Sequence, residues 1–198
     1  MSSVRQRSQP TLPALDLEKY VRPTAVASSS VGIDAPGRTV LLNCNEAIAR
    51  GAVEAGVRVA TSYPGSPLTT VIDYLANVAK TYSSMHVEWS TNEKCAFEVA
   101  LGATMAGVRA LTVMKNVGLG CVVDPLMHVS LHSGAGLVIV SNDDPPCENT
   151  AVMSDIRYLG MCSDSIILEP SSMQEAKDFV VAGFDISEKT WLPVLVRI

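Results

Sequence analysis

The stretch HVEWSTNEKCAFEVALGATMAGVRALTVMKN, residues 86–116, decides the fold. It opens with a short strand-like segment, passes through Ser90, Thr91 and Asn92, and continues as a nearly all-apolar helix that starts at Glu93. Residues 109–116, RALTVMKN, then have the apolar character of a buried strand. A strand, a helix and a second strand in this order predict a βαβ unit with two parallel strands.

The same alternation continues on both sides of this unit. Further strands are predicted at residues 39–43, 57–63, 136–143, 164–170 and 192–198. Two further helices are predicted before the central unit, over about 45–55 and from Ser66-Pro67 to about Lys80. Two more are predicted after it, from the end of the loop VGLGC to about Leu131 and over about 152–159. The last is predicted to begin at a capping box formed by Ser172 and Glu175 and to run for about 15 residues. The pattern predicts an α/β fold, a parallel sheet with helices on both faces.

The domain organisation follows from a change in composition near residue 38. Residues 1–37 are rich in Ser, Pro, Arg and Gln and show no sustained period, so they are predicted to be a flexible N-terminal arm. Residues 38–198 carry all the predicted strands and helices and form one predicted domain.

Composition and charge exclude several classes of function. Hydrophobic residues make up 47% of the chain and charged residues 18%, which indicates surface buried against a partner subunit. A net charge of -5 argues against nucleic acid binding, and no apolar run reaches the roughly 18 residues that span a membrane. Five scattered cysteines without a C-x-x-C pair suit a reducing cytoplasm and give no zinc or iron–sulfur site in this chain.

Ligands of parallel sheets bind at the carboxyl ends of the strands, so four loops are candidates for the site: SYPGSP, STNE, KNVGLG and NDDPPCEN. In the second loop, Glu93 has two readings. With Ser90 it matches a capping box, and its position at the start of an apolar helix also suits a catalytic acid. On spacing alone these two readings are equally supported.

Other features also have a structural and a functional interpretation. Ala96, Ala100, Ala103 and Gly107 form a stripe of small residues, typical of tight helix packing or of close approach by a flat ligand. The turn Tyr63–Pro67 is either a rigid corner between strand and helix, or a turn that holds a hydroxyl group and backbone groups in position beside a ligand. Asp143 and Asp144 could bind a metal or end a strand, and His128 and His132 have helical i, i+4 spacing but no following carboxylate. No phosphate-binding loop, complete dinucleotide fingerprint or G-x-S-x-G motif occurs in the sequence.

Taken together, the loops resemble a known family. VATSYPGSP, WSTNEKCAFEVALGA, TVMKNVGLG, DPLM, VSNDDP and ILEPSSMQEA, in this order, are similar to the N-terminal domain of the 2-oxoacid:ferredoxin oxidoreductases, and most similar to the alpha subunit of the indolepyruvate type. The resemblance covers residues 38–198. It implies the pyrimidine-binding domain of a thiamine diphosphate enzyme.

The resemblance also implies roles for particular residues. Glu93 would hold N1′ of the aminopyrimidine and so favour the tautomer that activates the cofactor, with Gly102 and Ala103 at the expected spacing behind it. The residues implied at the cofactor are Tyr63, Pro64, Gly65, Glu93, Asn116 and Gly118. Those implied at the substrate are Ser66 and Lys115, and no metal ligand is implied in this chain.

Departures from the family pattern shape the expected function. The chain has no Gly-Asp-Gly motif for magnesium and diphosphate and no ferredoxin-like cysteine cluster, so a diphosphate-binding subunit and an iron–sulfur subunit are expected as partners in a hetero-oligomer. Ala151, Val152 and Met153 replace polar residues, which suits an aromatic or otherwise apolar 2-oxoacid, such as an aryl or indole pyruvate. The expected reaction is oxidative decarboxylation. A split non-oxidative 2-oxoacid decarboxylase and a non-catalytic assembly subunit are the alternatives.

Overall fold

The structure is a computed structural model, and it describes residues 30–129, 134–144, 147, 152 and 154–198. Its centre is a sheet of six strands: β1 (Val59–Ser62), β2 (His86–Trp89), β3 (Ala110–Lys115), β4 (Leu137–Asn142), β5 (Ile166–Leu168) and β6 (Val194–Arg197). The strand order is β2-β1-β3-β4-β6-β5, and every neighbouring pair is parallel. The predicted α/β fold with a parallel sheet is confirmed.

Seven helices are described, and they cover both faces of the sheet: α1 (Cys44–Glu54), α2 (Thr69–Ala79), α3 (Glu93–Met105), α4 (Asn116–Cys121), α5 (Val123–His128), α6 (Arg157–Cys162) and α7 (Met173–Thr190). On one face α1, α2 and α7 bury a core that includes Ile48, Leu75 and Phe184. On the other face α3 to α6 bury a second core around Phe97 and Leu119. Within the described residues, no helix combines the length and the apolar character that crossing a bilayer requires.

The chain reverses direction across the sheet at β1. From β1 it runs through α2 to β2 at one edge, and from β2 through α3 to β3 on the other side of β1. The crevice beside such a reversal, at the carboxyl ends of the strands, is where open α/β sheets bind ligands. The loops after β1 and β3 flank this point.

Four sequence predictions about elements are wrong. The helix predicted to start at Ser66-Pro67 is α2, which starts at Thr69 with Leu68 as its N-cap residue. Residues 39–43 form no strand, because Asn43 caps α1 by accepting a hydrogen bond from the Glu46 backbone and none of the six described strands pairs with the segment. VGLGC is helical within α4, not a loop. The predicted end of the next helix, near Leu131, lies outside the described residues, and the described part of that helix is α5. The helix predicted over 152–159 is α6, which starts only at Arg157 because the Asp143 carboxylate holds the preceding Ile156 backbone N–H.

At the amino edge of the sheet, Arg109 joins three elements. Its guanidinium donates to Glu188 at 2.7 Å and to Asp185 at 2.8 Å on α7, and to the Ala55 carbonyl after α1 at 3.0 Å. It also lies 5.6 Å from the centre of the Phe184 ring, within the range of a cation–π interaction. Arg109 therefore joins the amino end of β3 to α7 and to the end of α1, on the side of the sheet opposite the candidate site.

Candidate functional site

The head of α3 places Glu93 at the carboxyl edge. The residue before it, Asn92, is extended and caps the helix: its Oδ1 accepts from the Cys95 N–H at 2.8 Å. Ser90 instead donates to Glu88 at 3.0 Å, so the capping box of Ser90 and Glu93 is not formed. The half-buried Glu93 carboxylate makes no hydrogen bond or ion pair with any residue that the structure describes.

Glu93 lies against Gly118, the third residue of α4. A Cβ built on Gly118 would come within 2.7 Å of both Cγ and Oε1 of Glu93. Non-bonded carbon atoms are in contact at about 3.5–4.0 Å, so a side chain at position 118 would occupy the space that Glu93 holds. The two predicted site residues are brought together, and the glycine is what allows the approach.

The turn after β1 lies on the same side of the crevice as Lys115. Ser62, the last residue of β1, donates to the Val113 carbonyl of β3 at 2.6 Å, which joins the two strands at the reversal. A Cβ on Gly65 would lie 3.3 Å from Cγ of Lys115. Tyr63, Pro64 and Ser66 are exposed. The structure thus brings the turn that contains Ser66 next to Lys115.

The Tyr63–Pro67 turn is held in place from α1. Nδ2 of Asn45 donates at 2.8 Å to the Pro67 carbonyl and at 2.8 Å to Oγ1 of Thr70. Lys115 itself has no ion-pair partner in the described part of the chain. The turn is therefore anchored, and the methylene chain of Lys115 packs beside it.

Asn116 is buried at the start of α4, with 2% of its surface exposed. Its Oδ1 accepts from the Val117 N–H at 2.8 Å, which fixes the orientation of the amide. Its Nδ2 is buried and has no partner within the described residues. A buried donor without a hydrogen bond costs about 1–3 kcal/mol, so this one calls for an acceptor from a ligand or a water molecule.

Asp143 closes the turn after β4. Its side chain is 3% exposed and pairs with Nε of Arg197 at 2.5 Å, and its carboxylate accepts from the Ile156 N–H at 3.2 Å. These contacts are those of a turn that ends a strand and joins the two ends of the segment 144–155. Within the described residues, no three His, Cys, Asp or Glu side chains group as metal ligands.

The Arg197 and Arg157 side chains extend this charged cluster. Nη1 of Arg197 donates to Glu169 at 2.6 Å. The guanidinium of Arg157, hydrogen-bonded to Asp155, lowers the pKa of that carboxyl to about 2. The cluster joins the ends of β4, β5 and β6 next to α6.

The small-residue stripe of α3 is a packing face. Ala96 and Ala100 are fully buried, and Oγ1 of Thr61 in β1 donates to the Ala96 carbonyl at 2.7 Å. Gly107 has a φ of 90°, in the left-handed region, where it ends the helix. The tight-packing interpretation of the stripe accounts for these residues. His128 contacts the Asp124 carbonyl at 2.8 Å, and His132 lies outside the described residues.

Sequence reasoning missed three residues of this edge: Asn92, Asn45 and Arg197. Asn92 offered a signal, because asparagine is as good a helix cap as serine. The partners of Asn45 and Arg197 are 22 or more residues away along the chain, and no local pattern indicates them.

Comparison with known proteins identifies the family. The model for the thiamine diphosphate-binding domain of pyruvate flavodoxin/ferredoxin oxidoreductases matches residues 50–198, most of the chain. The chain belongs to this family. The resemblance predicted from the strand-end loops is confirmed, and the oxidoreductase domain in this chain has the fold that the sequence predicted.

Several curated members of the family are similar in sequence. The chain is 43% identical to the indolepyruvate oxidoreductase subunit IorA of Archaeoglobus fulgidus, over 83% of this chain and 27% of that protein. It is 46% identical to IorA of Pyrococcus horikoshii, over 83% and 25%. The 2-oxoglutarate synthase subunit KorA of Methanothermobacter thermautotrophicus is 30% identical, over 77% and 42%. The chain spans about a quarter of the length of the IorA relatives.

A solved structure agrees in fold. The 2-oxoglutarate:ferredoxin oxidoreductase from Magnetococcus marinus superposes with a TM-score of 0.71 over 80% of this chain and 29% of its own. Its sequence identity of 22% supports a common fold only.

Proposed function

We propose that the chain is the pyrimidine-domain subunit of a thiamine diphosphate-dependent 2-oxoacid:ferredoxin oxidoreductase. The observation that carries the proposal is the Glu93 carboxylate, which lies against Gly118 without a protein partner among the described residues. A half-buried carboxylate of this kind gains most from a ligand that donates a hydrogen bond to it.

The residues at the crevice fit the aminopyrimidine half of the cofactor. Glu93 would hold N1′, and its contact with Gly118 removes part of the carboxyl group from water. Asn116 supplies a buried unpartnered donor on the same helix as Gly118. Tyr63, Pro64 and Gly65 would contact the cofactor from the turn after β1. When bound, thiamine diphosphate supplies the electron sink for decarboxylation of a 2-oxoacid.

Lys115 and Ser66 are assigned to the substrate. The methylene chain of Lys115 lies beside the Gly65 turn, and its ammonium group has no ion pair within the described residues. The ammonium group can attract the carboxylate of a 2-oxoacid, and the exposed Ser66 hydroxyl can donate to its oxo or carboxylate oxygens. We assign an aromatic 2-oxoacid of the indolepyruvate kind, because the most similar relatives named above carry that name and Ala151, Val152 and Met153 are apolar.

The complete enzyme is proposed to be a cytoplasmic hetero-oligomer. Magnesium and the diphosphate would be held by a diphosphate-binding subunit, as complement to the thiamine diphosphate-binding domain that residues 50–198 match. The cysteines of this chain form no ferredoxin-like cluster, so an iron–sulfur or ferredoxin-like subunit would take the electrons. The five free cysteines suit the reducing cytoplasm.

The test is Glu93→Gln in the complex that co-purifies with the chain. Reduction of ferredoxin that depends on an aromatic 2-oxoacid should fall about 10²-fold or more, because the neutral amide cannot take the place of the carboxyl group at N1′. The matched control is Glu98→Gln, which makes the same change on the exposed side of α3 and should leave the rate unaltered. Full turnover by the Glu93 variant would overturn the proposal. Carbon dioxide release without an electron acceptor would replace the oxidative reaction by a simple decarboxylation.

A further inference from the structure

A groove of about 650 Å³ lies beside α1 and the start of α7. None of its lining residues belongs to the proposed cofactor site. We call it the α1 groove, and it is lined by Ser30, Ile33, residues 35–42, Ala47, Arg50, Glu54, Met173, Gln174 and Lys177.

The wall of the α1 groove exposes apolar side chains. Leu41 is 98% exposed and Met173 is 52% exposed. An almost fully exposed leucine next to a second exposed apolar side chain marks a surface that gains free energy when it is covered.

The backbone of the same wall is also without partners. Residues 39–42 are not part of the sheet, and their N–H and C=O groups make no hydrogen bond with any described residue. An apolar segment outside the sheet, whose backbone groups have no described partner, can form hydrogen bonds with another segment of chain.

The N-terminal residues that precede Ser30 are a candidate segment to cover the α1 groove. Ser30, the first described residue, lines the groove. The turn that follows is anchored, because Arg50 donates to the Val31 carbonyl at 3.2 Å and to the Ile33 carbonyl at 2.5 Å. Residues 1–29 therefore start from a fixed point at the rim.

Residues 12–21, LPALDLEKYV, are the apolar part of that arm. They contain three leucines, a tyrosine and a valine, whereas the rest of residues 1–29 has Met1, Val4 and Val26 as its large apolar side chains. The link from residue 21 to residue 30 can span up to about 30 Å when extended, enough to reach any part of the groove.

The charges also complement each other. Residues 12–21 carry two carboxylates, Asp16 and Glu18, and one ammonium group, Lys19. Arg38 lies on the wall of the groove, is exposed, and has no ion pair within the described residues. A basic rim next to an apolar wall suits a segment in which leucines alternate with carboxylates.

We propose that residues 12–21 bind in the α1 groove of the same chain and cover Leu41 and Met173. The arm is then an intramolecular cover of the α1 face, and its docking does not depend on the function proposed for the carboxyl edge.

A photo-reactive benzoylphenylalanine at position 41 tests this in the full-length chain. After irradiation, mass spectrometry should find adducts mainly within residues 12–21. In an equal mixture of ordinary and ¹⁵N-labelled protein, both halves of each adduct should carry the same label. The same residue placed at position 173 should give the same adducts. Placed at Met105, on the exposed side of α3, it should give none.

Variants of the arm sharpen the result. Leu15→Asp with Leu17→Asp should reduce the adducts at least about fivefold, because a carboxylate cannot replace a leucine side chain against Leu41 and Met173. Gln6→Asp with Gln9→Asp changes the charge equally outside the segment and should leave them unaltered. Mixed-label adducts would show that a second copy covers the groove. That result, adducts elsewhere in the chain, or no adducts at all would overturn the proposal.

Discussion

Glu93 occupies the space that a side chain at position 118 would need: a Cβ there would lie 2.7 Å from its Cγ and Oε1. The contact joins the head of α3, which follows β2, to α4, which follows β3. These strands lie on opposite sides of β1, so the contact crosses the point where the chain reverses direction.

Gly118→Ala is predicted to impair the proposed activity without unfolding the chain. The added methyl group displaces the end of a flexible glutamate, which costs little stability, and alanine is the better helix residue by about 1 kcal/mol. The displaced carboxylate no longer reaches its position, so turnover should fall about tenfold or more, as misplaced catalytic groups do. Thermal unfolding and steady-state kinetics of the complex measure the two effects.

Gly120→Ala is the matched control for that variant. It lies in the same short helix, but a Cβ at position 120 meets nothing within 4 Å. Stability should stay the same or rise slightly, and activity should remain at the wild-type level. Equal losses of activity in both variants would mean that the Glu93–Gly118 contact has no functional role.

Asn92→Ala is predicted to lower the free energy of unfolding by about 1 kcal/mol, the usual effect of losing a helix cap. Ser90→Ala should lower it by less, because Ser90 contacts Glu88 and not the helix backbone. Urea denaturation of the two variants measures both values. A larger loss of stability for Ser90→Ala would contradict the Asn92 cap and support the capping box of Ser90 and Glu93.

Asp143→Asn is predicted to destabilise the chain by about 2 kcal/mol. The change removes the charge that faces Arg197 in a nearly buried pair, although Arg197 keeps Glu169 as a second partner. Asp73→Asn makes the same substitution at an exposed position of α2 and should change the stability by less than about 0.5 kcal/mol. Similar urea midpoints for the two variants would contradict the structural role of Asp143.

Glu54 is predicted to contribute to acid unfolding. Burial alone would raise its pKa, but hydrogen bonds from Lys177 and Arg50 outweigh this and hold the pKa below its ordinary value of 4.5. A pKa lowered in the folded state contributes stability above the unfolded value, and that stability is lost as the pH falls through the folded value. The stability lost in Glu54→Gln should therefore be largest near neutral pH and shrink below about pH 4.5.

Urea denaturation between pH 7 and pH 3 measures this difference. Glu98→Gln, on the exposed side of α3, is the control and should follow the wild-type chain across the range. A constant gap between Glu54→Gln and wild type at all pH values would show that the ion pairs with α7 and within α1 do not stabilise the fold.

The period of the apolar residues was sufficient to predict the fold. Each strand of the sheet lies inside a segment that the sequence predicted as a strand. The signal is clearest for the inner strands, such as β3 and β4, which are buried on both faces and consist of short apolar runs between polar loops. Residues 39–43 show the limit of this signal. TVLLN has the composition of a strand, but a strand also needs a neighbour, and the capping of α1 by Asn43 is a contact that apolar periodicity does not report.

At the candidate site, the sequence located the loops but not their contacts. Glu93 and Gly118 were both marked, and their approach could not be, because it depends on how α3 and α4 are placed across β1. The contacts of Asn45 to Pro67 and of Arg197 to Asp143 likewise join segments that are distant in the chain. Such contacts follow from the assembled sheet and have no signature in a single segment.

The Arg109 contacts lie at the amino edge of the sheet, whereas Glu93 lies at the carboxyl edge, so mutations that affect stability and mutations that affect activity fall in different places. Losing this guanidinium would loosen α7 and the end of α1 at the far end of the strands from Glu93, so the folded molecules that remain should keep their reactivity. Natural variation at that edge would then change how much protein a cell retains, whereas variation at the opposite edge would change what each molecule does. An inherited loss of activity could be traced to one cause or the other by measuring the amount of protein before its rate.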